Sequence, residues 1–176
     1  MSDLTSKTII VTGALGGIGR ASARVFATAG ARVVGSDLGD AGAKDFVDEL
    51  TALGAEASYF AADLQEENQV EALVGHAVER FGGIHGAFNN AGVPQQGKAL
   101  ADLTSEEFER VLRINVLGVF HCVKHQMKVM GEGGSIVIFP EGARSDSGNI
   151  LPFRGGIGMI GSRLEVPVVP VRIDGA

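Results

Sequence analysis

The sequence lacks several features that would indicate other classes of protein. Cys122 is the only cysteine, so the chain cannot form an internal disulfide. No apolar run reaches the ~18 residues of a membrane span, and the N-terminus lacks the basic and then apolar pattern of a signal peptide. The net charge of −6 does not favour a nucleic-acid surface. We therefore expect a cytoplasmic protein with no membrane span and no nucleic-acid partner.

What the sequence does contain is typical of one globular domain. It has 176 residues, of which 45% are apolar and 20% are charged, enough to bury a sizeable core. Runs of β-branched residues alternate with helical apolar patterns, which indicates parallel strands joined by right-handed crossover helices. We predict a single doubly wound α/β domain over residues 1–176, with a mostly parallel, Rossmann-like sheet of about six strands. A ligand should bind at the carboxyl ends of these strands.

The stretch KTIIVTGALGGIG, from Lys7 to Gly19, is typical of a dinucleotide site. A β-branched strand at residues 8–11 runs into a glycine-rich turn and then into a helix. Gly13 permits a sharp turn, Gly17 lets the backbone approach a pyrophosphate, and Gly19 lets the helix pack closely on the strand. The N–H groups of the helix's first turn then face the phosphates.

An acid follows at the distance that such a site requires. The second predicted strand, residues 31–37, ends in Asp37, eighteen positions after Gly19. A carboxylate there can accept hydrogen bonds from both hydroxyls of the adenosine ribose, and its charge would repel a 2′-phosphate. Asp37 therefore favours NAD over NADP as the cofactor. The alternative is an acid at a solvated strand end.

Two motifs resemble the short-chain dehydrogenase/reductase family over residues 1–138. They are TGxxxGIG at residues 12–19 and NNAG at residues 89–92, directly after a predicted strand at 84–88. The resemblance implies that NNAG steadies the sheet and lines the floor of the cofactor site. NADP-preferring members usually carry a basic residue where this chain has Gly16 or Leu38, which again favours NAD. The implied cofactor-binding residues are Gly13, Gly16, Gly17, Ile18, Gly19, Asp37, Leu38, Asp63, Leu64, Asn89, Asn90, Ala91 and Gly92.

Two of the implied sites have structural alternatives. The family places an acid and an apolar residue against the adenine ring, here Asp63 and Leu64, but Asp63 is also a candidate helix N-cap three residues before Glu66. Asn115 is the catalytic candidate, because the family has an asparagine here that holds a water in the proton relay. A polar side chain in an apolar stretch also suits a bond to neighbouring backbone.

Asn115 lies in a long predicted helix that begins with the capping box of Thr104 and Glu107 and continues to about Met130. His121 and His125 are four residues apart on it, but no acid stands between them in the HExxH manner. We expect no metal, and we place both histidines on a solvent or subunit face. The family pairs its subunits through this helix and the following one, but that second helix is replaced here, so a homo-oligomer is one of the oligomeric states that the resemblance leaves open.

The resemblance ends within a fifth predicted strand, residues 133–139. The family's catalytic serine would fall on Pro140 and Glu141, and its tyrosine and lysine near Arg154 and Gly158. The chain has no tyrosine after residue 59 and no lysine after residue 128, so the family's proton relay has no residues to operate through. We predict an NAD(H)-binding domain of oxidoreductase type that lacks turnover.

Residues 134–176 instead resemble the glycerolipid acyltransferases, which acylate lysophosphatidic acid and its relatives. FPEGARS at 139–145 and VPVVPV at 166–171 match two motifs of that family, in which the equivalents of Glu141 and Arg144 bind a phosphate. No histidine has an aspartate five positions on, so acyl transfer also lacks its base. We infer a chimera joined within the fifth strand, with a strand, loop, helix and sixth strand (166–173) over residues 139–176. The alternatives are an acyltransferase-like fragment that binds an anionic ligand, or a chimera without selected function; the sheet is truncated relative to the family in each case.

Overall fold

The computed structural model describes residues 3–95 and 97–138, and five strands alternate with helices in this part of the chain. The strands are β1 (Thr8–Thr12), β2 (Arg32–Ser36), β3 (Ala57–Tyr59), β4 (Ile84–Asn89) and β5 (Met130–Val137). The helices are α1 (Gly17–Thr28), α2 (Ala43–Ala52), α3 (Glu67–Phe81), α4 (Ser105–Leu112) and α5 (Val119–Val129). A 3-10 turn (Leu100–Asp102) precedes α4, and a π turn (Arg113–Gly118) joins α4 to α5.

The five strands form one parallel sheet in the order β3-β2-β1-β4-β5. All five residues of β1 are buried, as expected for a central strand covered on both faces. The strand order reverses between β1 and β4, and this reversal opens a crevice at the carboxyl ends of the strands. The prediction of a doubly wound, Rossmann-like sheet is confirmed with five strands; the sixth predicted strand, 166–173, lies outside the described residues.

Helices cover both faces of the sheet and bury a separate apolar cluster on each. On one face, α1 and α2 pack Ala23, Ala27, Phe46 and Leu50 against the sheet. On the other face, α3 supplies Val70, Leu73, Val74 and Ala77, and α5 supplies Cys122. No helix within residues 3–95 and 97–138 is long and apolar enough to cross a bilayer.

The fifth strand begins three residues earlier than the sequence predicts. β5 runs from Met130, which pairs with Ile84, to Val137, and residue 139 of the predicted strand lies outside the described residues. Gly86 on β4 pairs with Ser135, so residues 131–134 bulge out of the ladder opposite a single residue. Three of these four residues are glycines, and Gly133 has a φ of 78°, so the backbone can form a bulge that ordinary residues resist.

The long helix predicted around Asn115 is confirmed as one continuous run, Ser105 to Val129, with an internal π turn. Its capping box is present: Thr104 Oγ1 accepts a hydrogen bond from Glu107 N (3.2 Å), and Glu107 Oε2 accepts one from Thr104 N (3.0 Å). The π turn adds about one residue to a turn, since its hydrogen bonds run from i to i+5. Sequence periodicity did not reveal this insertion.

Candidate functional site

The glycine-rich turn between β1 and α1 forms one wall of the crevice. Gly13 has a φ of 65°, and its carbonyl lies so close to α1 that a Cβ on Gly19 would stand 2.1 Å from Gly13 O. Gly17 is exposed, and a Cβ built on it would meet nothing within 4 Å. The N-cap, Gly16, supplies no side-chain cap, and the first turn of α1 contains no acid. The first turn therefore has open space and uncapped N–H groups for an anionic group.

The carboxylate of Asp37 is tied to this turn from the neighbouring strand. Asp37 directly follows β2, and its Oδ2 accepts a hydrogen bond from the backbone N–H of Leu15 (3.2 Å). Its Oδ1 accepts a second hydrogen bond from the N–H of Leu38 (2.9 Å). Each carboxylate oxygen keeps lone pairs for further donors. The half-buried acid and the glycine turn are thus parts of one structural unit, beside the exposed side chains of Leu38 (70% exposed) and Ile18 (52%).

The cations of α1 and α2 are paired with carboxylates. Arg20 Nε lies 2.6 Å from Glu49 Oε2, and Arg24 pairs with the same carboxyl group. Lys44 pairs with Asp48 one helical turn away. In this structure the three cations are thus paired with carboxylates other than Asp37.

The NNAG motif connects the glycine turn to the rest of the sheet. Asn90 Nδ2 donates hydrogen bonds to Thr12 O (3.1 Å) and Gly13 O (3.4 Å), and the N–H of Ala91 donates to Thr12 Oγ1 (3.1 Å). Asn89 is buried and its side chain turns away, into a reciprocal amide pair with Gln126 on α5. The motif therefore fixes the turn after β1 through Asn90, and β4 against α5 through Asn89.

The Asp63–Leu64 pair lies at the end of the loop after β3. Asp63 Oδ1 accepts a hydrogen bond from the N–H of Gln65 (2.9 Å), which closes a short turn before α3. The alternative that Asp63 caps α3 is wrong, because the N-cap is Glu66. Leu64 is buried, and its carbonyl lies 3.0 Å from His121 Nδ1 on α5. The N–H of Asp63 donates to Gln69 Oε1 on α3 (2.9 Å), so the loop is held by both α3 and α5.

Asn115 sits in the π turn and binds the loop after β4. Its Oδ1 accepts a hydrogen bond from Val93 N, and its Nδ2 donates one to Val93 O, both at 2.9 Å. The structural alternative, a bond to neighbouring backbone, is therefore present. A Cβ on Gly92 would lie 3.2 Å from Asn115 Oδ1, so this last residue of NNAG is closely covered by the amide. Oδ1 keeps a second lone pair and Nδ2 a second N–H for another ligand.

The prediction that His121 and His125 face solvent or a partner is wrong, because both are buried against α3. His125 Nε2 lies 2.9 Å from Glu67 Oε1, and Lys124 Nζ lies 2.6 Å from the same oxygen. Hydrogen bonds from Lys124 and His125 lower the pKa of Glu67 to about 2. The four-residue spacing places both histidines on one face of α5, as predicted, but the face is the inner one. No group of three metal-ligating side chains occurs within the described residues.

Three residues that were not predicted as site residues support this edge of the sheet: Thr12, Tyr59 and Gln126. Thr12 accepts the N–H of Ala91, and the hydroxyl of Tyr59 donates to the carbonyl of Gly39 in the loop after β2. Thr12 had a sequence signal as the first residue of TGxxxGIG, and Gln126 had one as a polar residue at an apolar position of the helix. The residues at the expected catalytic and phosphate-binding positions lie outside the described residues; they are Pro140, Glu141, Arg144, Arg154 and Gly158.

Comparison with known proteins places this geometry in a family. A family profile described as short chain dehydrogenase matches residues 7–140. The 2,5-dichloro-2,5-cyclohexadiene-1,4-diol dehydrogenase of Sphingobium indicum is 45% identical over 140 residues, which cover 78% of this chain and 55% of that protein. The chain thus spans about half the length of the curated relatives it matches.

Solved structures agree with the sequence matches. A short-chain type dehydrogenase/reductase from Mycobacterium marinum superimposes with a TM-score of 0.73 at 33% identity, over 76% of this chain and 55% of that one. An NAD+-bound xylitol dehydrogenase superimposes with a TM-score of 0.70 at 33% identity, over 72% of this chain and 48% of that one. These comparisons give no support to an acyltransferase-like segment or to a chimera.

Proposed function

Because the chain belongs to the short-chain dehydrogenase family, an oxidoreductase family, we propose that it binds NAD(H) at the carboxyl edge of its sheet. The pyrophosphate lies on the uncapped first turn of α1, next to the open space at Gly17. The adenosine ribose bonds to Asp37, and the adenine ring lies near Asp63. The remaining cofactor residues are Gly13, Gly16, Ile18, Gly19, Leu38, Leu64, Asn89, Asn90, Ala91 and Gly92. Three of them, Gly19, Leu64 and Asn89, are buried and support the exposed residues of the site.

The observation that carries this proposal is the hydrogen bond from the N–H of Leu15 to the carboxylate of Asp37. It brings the acid to the rim of the glycine turn, within reach of a ribose attached to a pyrophosphate on α1. The arrangement also favours NAD over NADP. A 2′-phosphate at Asp37 would meet a negative charge, while Arg20 and Lys44 are already paired.

We expect the purified protein to bind NADH with micromolar affinity in calorimetric titration, and NADPH more weakly. Asp37→Ala should weaken NADH binding about 10- to 100-fold, since charge-assisted hydrogen bonds to the ribose are lost. Asp102→Ala removes an equally charged but exposed residue in the 3-10 turn and should leave both affinities unchanged. Equal NADH affinity in Asp37→Ala and wild type would contradict the placement of the ribose.

Calorimetric titration with a lysophospholipid, run beside the NADH titration, tests the other functions that the sequence suggests. Lysophospholipid binding without NADH binding would favour a phosphate site at Glu141 and Arg144, which rests on sequence motifs alone. Binding of neither ligand is the result expected of a chimera without a selected function. In each case the outcome differs from that expected of an NAD(H) site.

We propose binding without turnover, because these 176 residues have no tyrosine after residue 59 and no lysine after residue 128. The rival is a working reductase in which Asn115 holds a water as proton donor. Its amide is bonded to Val93 but keeps one lone pair and one N–H for that water. Oxidation of NADH by a panel of carbonyl compounds would favour this rival.

We also propose that the chain forms a homo-oligomer through the helical run from Ser105 to Val129. Phe108, Leu112, Val116 and Phe120 are spaced by four residues and are each 43–60% exposed. Four residues make slightly more than one full turn of an α-helix but slightly less than one full turn of a π-helix. The π turn therefore brings these side chains back into line as one apolar stripe, which a monomer would leave in water.

Val116→Glu, in the middle of this stripe, is expected to convert the oligomer to monomers, because a charge would be buried at the interface. Val25→Glu is a matched control, since Val25 is 65% exposed on α1 and lies outside the stripe. Sedimentation velocity measures the oligomeric state. A wild-type protein that is monomeric at all concentrations would contradict the proposal.

A further inference from the structure

Tyr59, the last residue of β3, lies beside the proposed ribose site but is not one of the proposed cofactor-binding residues. Its hydroxyl donates a hydrogen bond to the carbonyl of Gly39, two residues after Asp37. Its ring meets the buried ring of Phe46 edge to face, with the centroids 6.1 Å apart and the planes at 67°. The ring thus anchors Tyr59 to α2, and the hydroxyl reaches the loop after β2.

This hydrogen bond completes a set of ties that fix the loop after β2. The carbonyl of Asp37 accepts the N–H of Ala62 (2.9 Å), and its carboxylate accepts the N–H groups of Leu15 and Leu38. The carbonyl of Asp40 accepts the N–H of Ala43 (2.8 Å), where α2 begins. Between these two ends, the hydroxyl of Tyr59 holds the carbonyl of Gly39.

Two carboxylates belong to this loop, since Asp37 directly follows β2 and Asp40 directly follows Gly39. Burial raises the pKa of Tyr59 to about 12, and the negative charges of Asp37 and Asp40 both contribute to raising it. The hydroxyl therefore stays protonated at neutral pH and remains a donor to Gly39. The same two charges would act on a phosphate bound at this end of the site.

We propose that Tyr59 is a positioning residue for cofactor specificity: its hydroxyl holds residues 38–40 so that the charge of Asp40 adds to that of Asp37 beside the ribose 2′ position. This inference rests on the proposed NAD(H) site and extends it. Tyr59 acts through the loop and does not itself contact the cofactor. Its removal therefore changes the preference between the two dinucleotides more than it changes the fold.

Tyr59→Phe tests this, because phenylalanine keeps the ring on Phe46 and removes only the hydroxyl. We expect calorimetric titration to show NADH binding weakened about fivefold, the size of one hydrogen bond, with NADPH binding unchanged or tighter. Asp40→Asn should tighten NADPH binding by a similar factor, because it removes one of the two negative charges beside the 2′ position. A purely structural role for Tyr59 predicts that both affinities fall by the same factor, and that result would overturn the inference.

A spectroscopic readout is available because Tyr59 is the only tyrosine and the chain has no tryptophan. Alkaline titration of the phenol absorbance should give a midpoint near the raised pKa of about 12. A midpoint at the ordinary value of about 10, while circular dichroism still shows a folded protein, would show that the hydroxyl is free in solvent and would overturn the inference. If wild type binds neither dinucleotide, the proposed function and this inference both fail. If it binds NADH and Tyr59→Phe keeps the same NADH to NADPH ratio, only this inference fails.

Discussion

Gly19→Ala is expected to destabilise the domain by about 3 kcal/mol and to abolish NADH binding. A Cβ at this buried position would lie 2.1 Å from Gly13 O, 2.8 Å from Gly13 C and 3.0 Å from Ala14 Cα. All three are backbone atoms of the turn, so no flexible side chain can move aside. To accept the methyl group, α1 would have to move away from β1, and the proposed pyrophosphate site would be lost.

Gly17→Ala is the matched control, two residues earlier in the same helix. A Cβ there meets no protein atom within 4 Å, and the position is the first of the helix, where alanine adds no strain. We expect this variant to be at least as stable as wild type in urea unfolding followed by circular dichroism. Its NADH affinity should nevertheless fall, because the methyl group would occupy the space proposed for the pyrophosphate. Stability equal to wild type in Gly19→Ala would contradict the close packing of strand and helix.

The contrast between these two glycines was readable from the sequence because the signal is local. A β-branched strand, a glycine turn and an amphipathic helix follow each other within residues 8–28, and each pattern determines its own geometry. Asp37 was predicted for the same reason, since it closes a strand at a fixed distance from the turn. The sheet order then follows from the right-handed crossovers of parallel strands.

Features that depend on distant partners or on backbone irregularities could not be read in this way. The spacing of His121 and His125 predicts that both lie on one face of the helix. Only the packing of α5 on α3 shows that this face is buried. The start of β5 was predicted at Gly133, three residues late, because a bulge removes the alternation that marks a strand. The π turn at Asn115 likewise leaves no periodic signal.

The amide pair of Asn89 and Gln126 was also beyond sequence reasoning, since the two residues are 37 positions apart. Asn89 Nδ2 donates to Gln126 Oε1, and Gln126 Nε2 donates to Asn89 Oδ1, both at 2.9 Å. Gln126 is completely buried and Asn89 is 3% exposed, so neither amide has access to water if its partner is removed. The pair therefore satisfies two polar groups that would otherwise be buried at a large cost.

Replacing one partner is expected to cost more than replacing both. Asn89→Leu and Gln126→Leu should each lower the free energy of unfolding by about 2–3 kcal/mol, because each leaves one unpaired amide in the core. The double variant leaves none, so its loss should be smaller than that of either single variant, which corresponds to a coupling of about 3 kcal/mol, the upper end for residues in contact. Urea unfolding of all four proteins measures this coupling, and strictly additive losses would mean that the two amides do not depend on each other.

The single variants should also weaken NADH binding, because Asn89 precedes the residue that holds the glycine turn. Asn90 bonds to the carbonyls of Thr12 and Gly13, and its backbone position depends on where β4 ends against α5. If Asn89→Leu lowers stability but leaves the NADH affinity unchanged, the amide pair secures only the packing of α5. If affinity and stability fall together and the double variant restores both in part, the pair also sets the position of the cofactor turn.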